Sequence, residues 1–282
     1  MHYLQEWWDN DLSKWVKFVF LVLLANGLPA FIILISVPHL TETLFVWTIN
    51  PPVSARLVGV MYSNAIILVA FGIFQRTWAN VRIIMVVITL FSIMATLLTF
   101  VYLKPFLAHP WFHLAYWLTM YLILFFAAPY VFYTHERRYG GKLPINLPLN
   151  LLARIVLIGS AFVSLIMGIG FLFRIETVNE FWPWQVAPLV GGLIGVLYIT
   201  HTAAYLWALW DGDWVRVRPI FWQAPITNLL LIIITIIHTP DIDPAMHGRL
   251  LAIQLLAGGF ILVHGAVIFM YRQQEKMIGP VS

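Results

Sequence analysis

Cysteine is absent from all 282 residues of the chain. Without it the protein can form no disulfide, no thiolate metal site and no centre that depends on thiol chemistry. The absence also removes the usual sequence indication of an oxidising or a reducing compartment. Any chemistry of this protein must therefore rest on other side chains.

Charged residues are the second shortage. Only 10% of the chain is Asp, Glu, Lys or Arg, and 61% is hydrophobic. Soluble domains carry about 25% charged residues. A soluble chain of this length could not hide so much apolar surface from water. The composition therefore indicates an integral membrane protein with lipid as its main solvent.

Catalytic and nucleotide-binding motifs are missing as well. The sequence contains no P-loop, no G-x-G-x-x-G and no H-E-x-x-H pattern. Its apolar segments hold no pair of carboxylates of the kind that proton- and sodium-coupled transporters usually need. These absences argue against ATP-driven and ion-coupled work. The isoelectric point near 9.4 comes without a nucleic-acid-binding motif, so we expect no nucleic-acid partner.

Apolar segments of membrane-spanning length recur along the whole chain. A bilayer core needs roughly 20 apolar residues per helix, and Pro, Asn, Gly and charged residues mark the breaks between segments. These signals predict eight spans near 16–38, 53–75, 82–103, 111–134, 149–172, 187–209, 217–238 and 245–271. The predicted fold class is an all-α integral membrane protein with eight transmembrane helices.

The chain also repeats itself. "FVWTINPPVSARLVGVMY", residues 45–62, and "FWPWQVAPLVGGLIGVLY", residues 181–198, match at six of eighteen positions at an offset of 136. "WANVRI" and "WVRVRP" match at the same offset, and "KPFLAHPWFH" and "HTPDIDPAMH" at 134. We interpret this as a tandem, parallel duplication of a four-helix unit. The repeat anchors are Pro52, Gly59, Tyr62, Trp78 and Arg82 in the first copy, and Pro188, Gly195, Tyr198, Trp214 and Arg218 in the second.

The duplication defines the expected domains. Residues 1–15 form an interfacial segment rich in Trp, 16–138 the first four-helix repeat, 139–148 a cytoplasmic linker, 149–272 the second repeat and 273–282 a cytoplasmic tail. Twelve of the 16 Lys and Arg residues fall on the side of the termini and the even-numbered loops. By the positive-inside rule both termini should be cytoplasmic. We expect the protein to lie in the plasma membrane of a prokaryote.

Two histidines fall inside predicted spans. His201 and His264 both lie in the second repeat, and an intramembrane ionisable residue is a functional hypothesis by default. A neutral imidazole ligates the iron of haem b or the magnesium of a (bacterio)chlorophyll. The simpler alternative, which we favour, is a histidine that donates to a neighbouring backbone carbonyl or hydroxyl.

Polar residues also cluster in the loops on the outer face, which is the face opposite the two termini. Zinc, copper or a proton-accepting quinol site could use such ligands, but their spacing matches no compact metal motif. Caps and interface contacts are the alternative, with His109 and Asp243 as helix caps before Pro and Arg56 reaching to lipid headgroups. The members of this outer cluster are His39, His109, His113, His238, Asp241, Asp243 and His247.

The W-P-W entry, the P-L step and the D-W-x-x-x-R exit of residues 181–218 resemble a type found in uncharacterised bacterial polytopic membrane proteins. The similarity covers mainly the sixth and seventh spans. It implies a multi-span protein and brings no activity with it. In the first copy Arg76 and Thr77 precede Trp78, where Asp213 precedes Trp214, so the first copy departs from the pattern.

Three functions remain open from the sequence. The first is a non-catalytic integral subunit of a larger energy-converting membrane complex, which contacts lipid, haem or a chlorophyll-type pigment. The second is a transporter or channel for a small neutral or hydrophobic solute, with a path between the halves. The third is a quinol-linked redox or metal enzyme that uses the outer histidines. Membrane lipids and other complex subunits are the expected partners.

Overall fold

Eight long helices make up most of the described chain. The computed structural model describes residues 12–141 and 143–278, with side chains described as far as residue 275. Within these residues all regular structure is helical, and eight helices are long and apolar enough to cross a membrane. They are α1 (Lys14–Ser36), α2 (Pro52–Ile73), α3 (Trp78–Val101), α4 (Trp111–Tyr139), α5 (Leu151–Phe173), α6 (Pro188–Asp211), α7 (Trp214–Ile237) and α8 (His247–Ile278).

Short helical turns fill the loops between the long helices. They are Pro38–Leu40 and Thr41–Leu44 after α1, Leu103–Leu107 after α3, Ile175–Phe181 after α5, and Thr239–Asp241 and Pro244–Met246 after α7. The predicted linker corresponds to the segment 140–150, of which residue 142 lies outside the described part. Most of the interfacial segment predicted at 1–15, and the last residues of the predicted tail, also lie outside it.

The helix ends follow the expected local chemistry. The side chains of Ser13, Asn150 and Asp213 accept hydrogen bonds from the first-turn amides of α1, α5 and α7. Pro52 and Pro188 occupy the first position of α2 and α6, where no amide donor is needed.

Contacts between helix ends assign the ends to two faces. We call the face that carries the 140–150 segment the linker end and the opposite face the His238 end. At the linker end, Arg82 at the start of α3 meets Glu136 near the end of α4 and Asp211 at the end of α6. At the His238 end, Arg56 at the start of α2 meets His238 after α7. Consecutive long helices therefore run in opposite directions.

The eight-helix prediction is confirmed, and its boundaries differ mainly at the linker end. α3 begins at Trp78 and not at 82, and α4 continues past 134 to Tyr139. Both extensions have one cause, because Glu136 faces inward and binds Trp78 and Arg82. The charged residues that we expected to end these spans in water instead pair with one another.

Four inner helices form the centre of the bundle. α2, α3, α6 and α7 are the more buried spans, whereas α1, α4, α5 and α8 expose most of their surface. α2 packs against α7 and α3 against α6, which joins the first four helices to the last four. α1 and α4 flank the first pair of inner helices, and α5 and α8 flank the second. The closest of these packings brings α5 against α6.

Gly195 sets the close approach of α6 to α5. A Cβ atom on Gly195 would lie 2.8 Å from the backbone nitrogen of Leu172 and 3.0 Å from the carbonyl oxygen of Gly168. Gly→Ala there should force the two helices apart and lower stability by about 1–3 kcal/mol, the usual cost of overpacking. A lower melting temperature of the detergent-solubilised protein would show this.

Gly159→Ala on α5 is the matched control, because a Cβ atom at that position meets nothing within 4 Å. It should leave the melting temperature unchanged or raise it, since Ala favours a helix by about 1 kcal/mol over Gly. Equal effects of the two substitutions would contradict the role given to Gly195.

Candidate functional site

The same three residue types meet in each half at the linker end. The Trp78 indole donates to Glu136 Oε2 at 3.0 Å, and Arg82 Nε donates to the same oxygen at 2.9 Å. In the second half the Trp214 indole donates to Glu275 Oε1 at 2.9 Å, and Arg218 Nη1 lies 3.2 Å from it. Each group, which we call a Trp–Arg–Glu trio, ties the start of α3 or α7 to the end of α4 or α8.

The first trio belongs to a larger buried ion network. The Arg82 side chain is 1% exposed and also lies 3.6 Å from Asp211, while Trp207 and Trp210 flank its guanidinium at about 5.5 Å. Arg216 donates to Asp211 at 2.6 Å and lies 3.4 Å from Asp213. The acids and bases of "WDGDWVRVR", residues 210–218, thus form local ion pairs. The cavity beside this network has a volume of about 580 Å³.

Sequence reasoning missed both glutamates. It selected Trp78, Arg82, Trp214 and Arg218 as repeat anchors without assigning them a partner. The available signal was an acidic residue near the end of the fourth helix of each copy, in "THERRY" and in "YRQQEK".

Pocket 1 lies within the first half, between α1 and α4. Its lining is mostly apolar, and it opens between two helices that make little direct backbone contact with each other within the described chain. Its volume is about 60 Å³. Uncharged polar side chains are part of the lining: Asn26, Tyr62, Asn64, Ser92, Tyr121 and His201.

Pocket 2 occupies the corresponding place in the second half, between α5 and α8. Its volume is about 110 Å³. Tyr198, the repeat partner of Tyr62, lines it. Further uncharged polar side chains complete the wall: Ser164, His201, Tyr205, Gln223, Thr227 and Asn228. Both repeat-anchor tyrosines thus face a pocket.

Three side chains line both pockets and so separate them: Met61, Asn64 and His201. Thr227 Oγ1 donates to Asn64 Oδ1 at 2.6 Å, a hydrogen bond that joins α7 to α2. Asn228, by contrast, bonds Ala224 within its own helix. This wall is polar but carries no Asp, Glu, Lys or Arg.

The His201 ring is held from two sides. Its Nδ1 lies 2.7 Å from the Leu197 carbonyl oxygen, which fixes the proton on Nδ1 and confirms the backbone contact that the sequence favoured. Its Nε2 lies 3.3 Å from the Gln223 side chain. A neutral ring accepts at Nε2, so the NH₂ group of Gln223 must face the ring.

The His264 ring is fully buried. Its Nδ1 donates to the Phe260 carbonyl at 2.9 Å, its Nε2 lies 3.4 Å from Ser160 Oγ, and Phe221 and Phe260 pack on the ring. A porphyrin-type ring needs a wide flat slot beside its ligand. Neither the closed surroundings of His264 nor the small pockets beside His201 fit haem b or a chlorophyll.

The outer polar residues are dispersed over separate contacts. Arg56 donates to Ile35 O and to His238 Nε2, both at 2.9 Å, and His238 Nδ1 donates to Asp241 at 2.7 Å. Arg56 thus makes protein contacts in addition to the headgroup contact that stays a prediction. His39 is exposed. Among the described residues no group of three His, Asp or Glu side chains could hold a metal ion.

The cap roles predicted in this region hold in part. Asp243 accepts from the Ala245 amide, as expected of a cap. His109 does not cap α4, because its Nε2 accepts from the Thr48 amide at 3.1 Å. His247 Nε2 faces the carbonyl oxygens of Thr239 and Ile242. The buried Nδ1 of His113 has no hydrogen-bond partner within the described chain.

Comparison with protein-family models, with curated proteins and with solved structures finds no match. The functional argument therefore rests on the geometry of this chain.

The two trios differ in burial and so should differ in their contribution to stability. Removing the partner of a buried charge costs about 3–5 kcal/mol. Glu136→Ala should cost about 3 kcal/mol, the low end of that range, because Asp211 stays near Arg82. Glu275→Ala should cost at most about 1 kcal/mol, since Arg218 and Glu275 are 32% and 29% exposed. Thermal unfolding of both variants in one detergent would rank them, and an equal loss would contradict the buried network.

Proposed function

We propose that this protein is a non-catalytic integral membrane protein that takes a small, neutral, hydrophobic molecule from the bilayer into pockets 1 and 2. The observation that carries the proposal is the pair of corresponding pockets. Each is mainly apolar, is partly open between two outer helices, and ends at the shared wall of Met61, Asn64 and His201. A carrier for such a solute is the activity that this geometry supports best.

Pocket chemistry limits the ligand. Apolar cavities of about 150 Å³ hold a molecule such as benzene, so pockets of about 60 and 110 Å³ suit a short stretch of acyl chain and not a whole ring. The polar groups at the wall are hydroxyls, amides and imidazole, which donate and accept but offer no fixed charge. A charged solute would lose its hydration without gaining a counter-charge. The ligand should therefore be neutral, with one or two hydrogen-bonding groups.

The tandem duplication is part of the proposal. Helices 1–4 and 5–8 are two copies of one unit, related by an axis along the membrane normal. Support comes from the two trios, from the paired pockets, and from the equivalent packing of α2 on α7 and α6 on α3. The domains assigned from the sequence follow from this duplication.

The expected location is the plasma membrane of a prokaryote, with the linker end in the cytoplasm. Most Lys and Arg residues fall at that end, which is the side that the positive-inside rule assigns to the cytoplasm. Membrane lipids are the natural partners of the four outer helices.

A second candidate is the non-catalytic subunit of a larger membrane complex. The lipid-facing side of α4 favours it, because Phe126, Tyr130 and Tyr133 are more than 60% exposed. Aromatic residues are common in interfaces between subunits. Comigration with other subunits in a mild detergent would support this role.

Photolabelling with a diazirine-bearing octanol tests the binding proposal on the full chain in nanodiscs. Ala65 lines pocket 1 and Ala257 lines pocket 2. Ala65→Phe should abolish saturable labelling of α4 peptides, and Ala257→Phe that of α8 peptides. Ala252→Phe is the matched control, because Ala252 is exposed on α8. An absence of saturable labelling in the wild-type protein, or equal loss in all three variants, would overturn the proposal.

Reporter fusions test the orientation. A fluorescent protein that folds only in the cytoplasm should be bright at either terminus, and a periplasmic phosphatase should be inactive at both. Fusions that place the two ends on opposite sides would contradict both the orientation and the count of eight crossings.

A further inference from the structure

Pocket 1 continues toward the His238 end as a crevice between α1 and α4. A neighbouring cavity of about 180 Å³ shares Asn26 and Tyr62 with it and extends past Phe45 and Trp117 to His113. Together the two cavities lead from the start of α4 to the middle of the bundle. We call this combined space the α1–α4 crevice.

The polar groups of the crevice are few and neutral. The Nδ1 atom of His113 is buried at the outer end and lacks a partner among the described residues. Deeper in, the Tyr116 hydroxyl donates to Asn26 Oδ1, which links α4 to α1 across the opening. The described residues that line the two cavities include no Asp, Glu, Lys or Arg. A phosphate or carboxylate headgroup would find no counter-charge here.

The second half differs at two equivalent positions. Val46, which lines the crevice, aligns with Trp182, which lines pocket 2 and packs edge-on against Phe171 of α5. His113 aligns with His247, whose Nε2 faces two backbone carbonyl oxygens. The first half thus has a small side chain where the second has a bulky indole, and it holds an imidazole nitrogen that lacks a partner within the described residues. The smaller side chain leaves space for a ligand. The unpaired imidazole nitrogen can bond the polar group of that ligand.

We propose that the α1–α4 crevice binds a neutral single-chain amphiphile with a hydroxyl or carbonyl head. The head bonds His113 at the His238 end, and the apolar chain runs past Tyr62 into pocket 1. The unpaired nitrogen provides one hydrogen bond, and the uncharged lining discriminates against phospholipids and fatty acids. This inference rests on the proposed function and adds the ligand class and its route of entry.

Labelling the full chain in nanodiscs with a diazirine-bearing hexadecanol, beside the matching hexadecanoic acid near neutral pH, tests the ligand class. The alcohol should label α4 peptides saturably, with a half-saturating concentration about tenfold lower than that of the acid, since burying an unpaired charge is costly. Equal labelling by the two probes would overturn the inference. This comparison uses the wild-type protein and needs no variant to fold.

Variants then test the route. Val46→Trp should abolish alcohol labelling of α4 while pocket 2 peptides on α8 stay labelled. Leu40→Trp, at an exposed position nearby, is the matched control. His113→Phe should raise the half-saturating concentration of the alcohol about three- to tenfold, because the variant loses one hydrogen bond to the ligand. Labelling of α4 that survives Val46→Trp would contradict the route.

The two proposals fail differently. If α8 peptides are labelled saturably and α4 peptides are not, the crevice inference is wrong and the proposed function stands for pocket 2 alone. If neither helix is labelled saturably, both are wrong.

Discussion

Arg82 imposes the main constraint on this fold. Its guanidinium is 1% exposed, and a buried charge without partners would be prohibitively costly. Glu136 and Asp211 neutralise it, and in doing so they fix the start of α3 against the ends of α4 and α6. Because α6 belongs to the last four helices, the same cation also joins the two halves. The bundle arrangement at the linker end depends on this side chain being satisfied.

Lipid explains why hydrogen bonds recur along the interface between the halves, beside its buried apolar side chains. Apolar helix faces gain little by leaving lipid for one another, so close packing and hydrogen bonds must hold transmembrane helices together. Arg56 meets His238 and Trp184 meets Ser54 near the start of α2, and Asn64 meets Thr227 in the middle. The pockets lie where α1 faces α4 and α5 faces α8, and both end at Asn64 of this bonded interface.

The sequence predicted the elements better than their partners. Hydrophobic runs and terminal prolines located all eight helices, because both signals are local. The repeat identified Trp78 and Arg82 but not Glu136, since that partner lies more than fifty residues away. The contact between Arg56 and His238 joins the two halves and was not predicted, for the same reason. The pockets could not be predicted, because they depend on how the outer helices pack against one another and against the inner four.

The proposed duplication gives the difference between Val46 and Trp182 a structural meaning. In a homodimer of a single four-helix chain, symmetry would place the same residue at both positions. In one polypeptide that contains both units, equivalent positions can carry different residues, so the two halves can diverge one substitution at a time. The crevice beside Val46 can then coexist with a second half in which Trp182 occupies the equivalent place, so that the two halves offer a ligand different entrances.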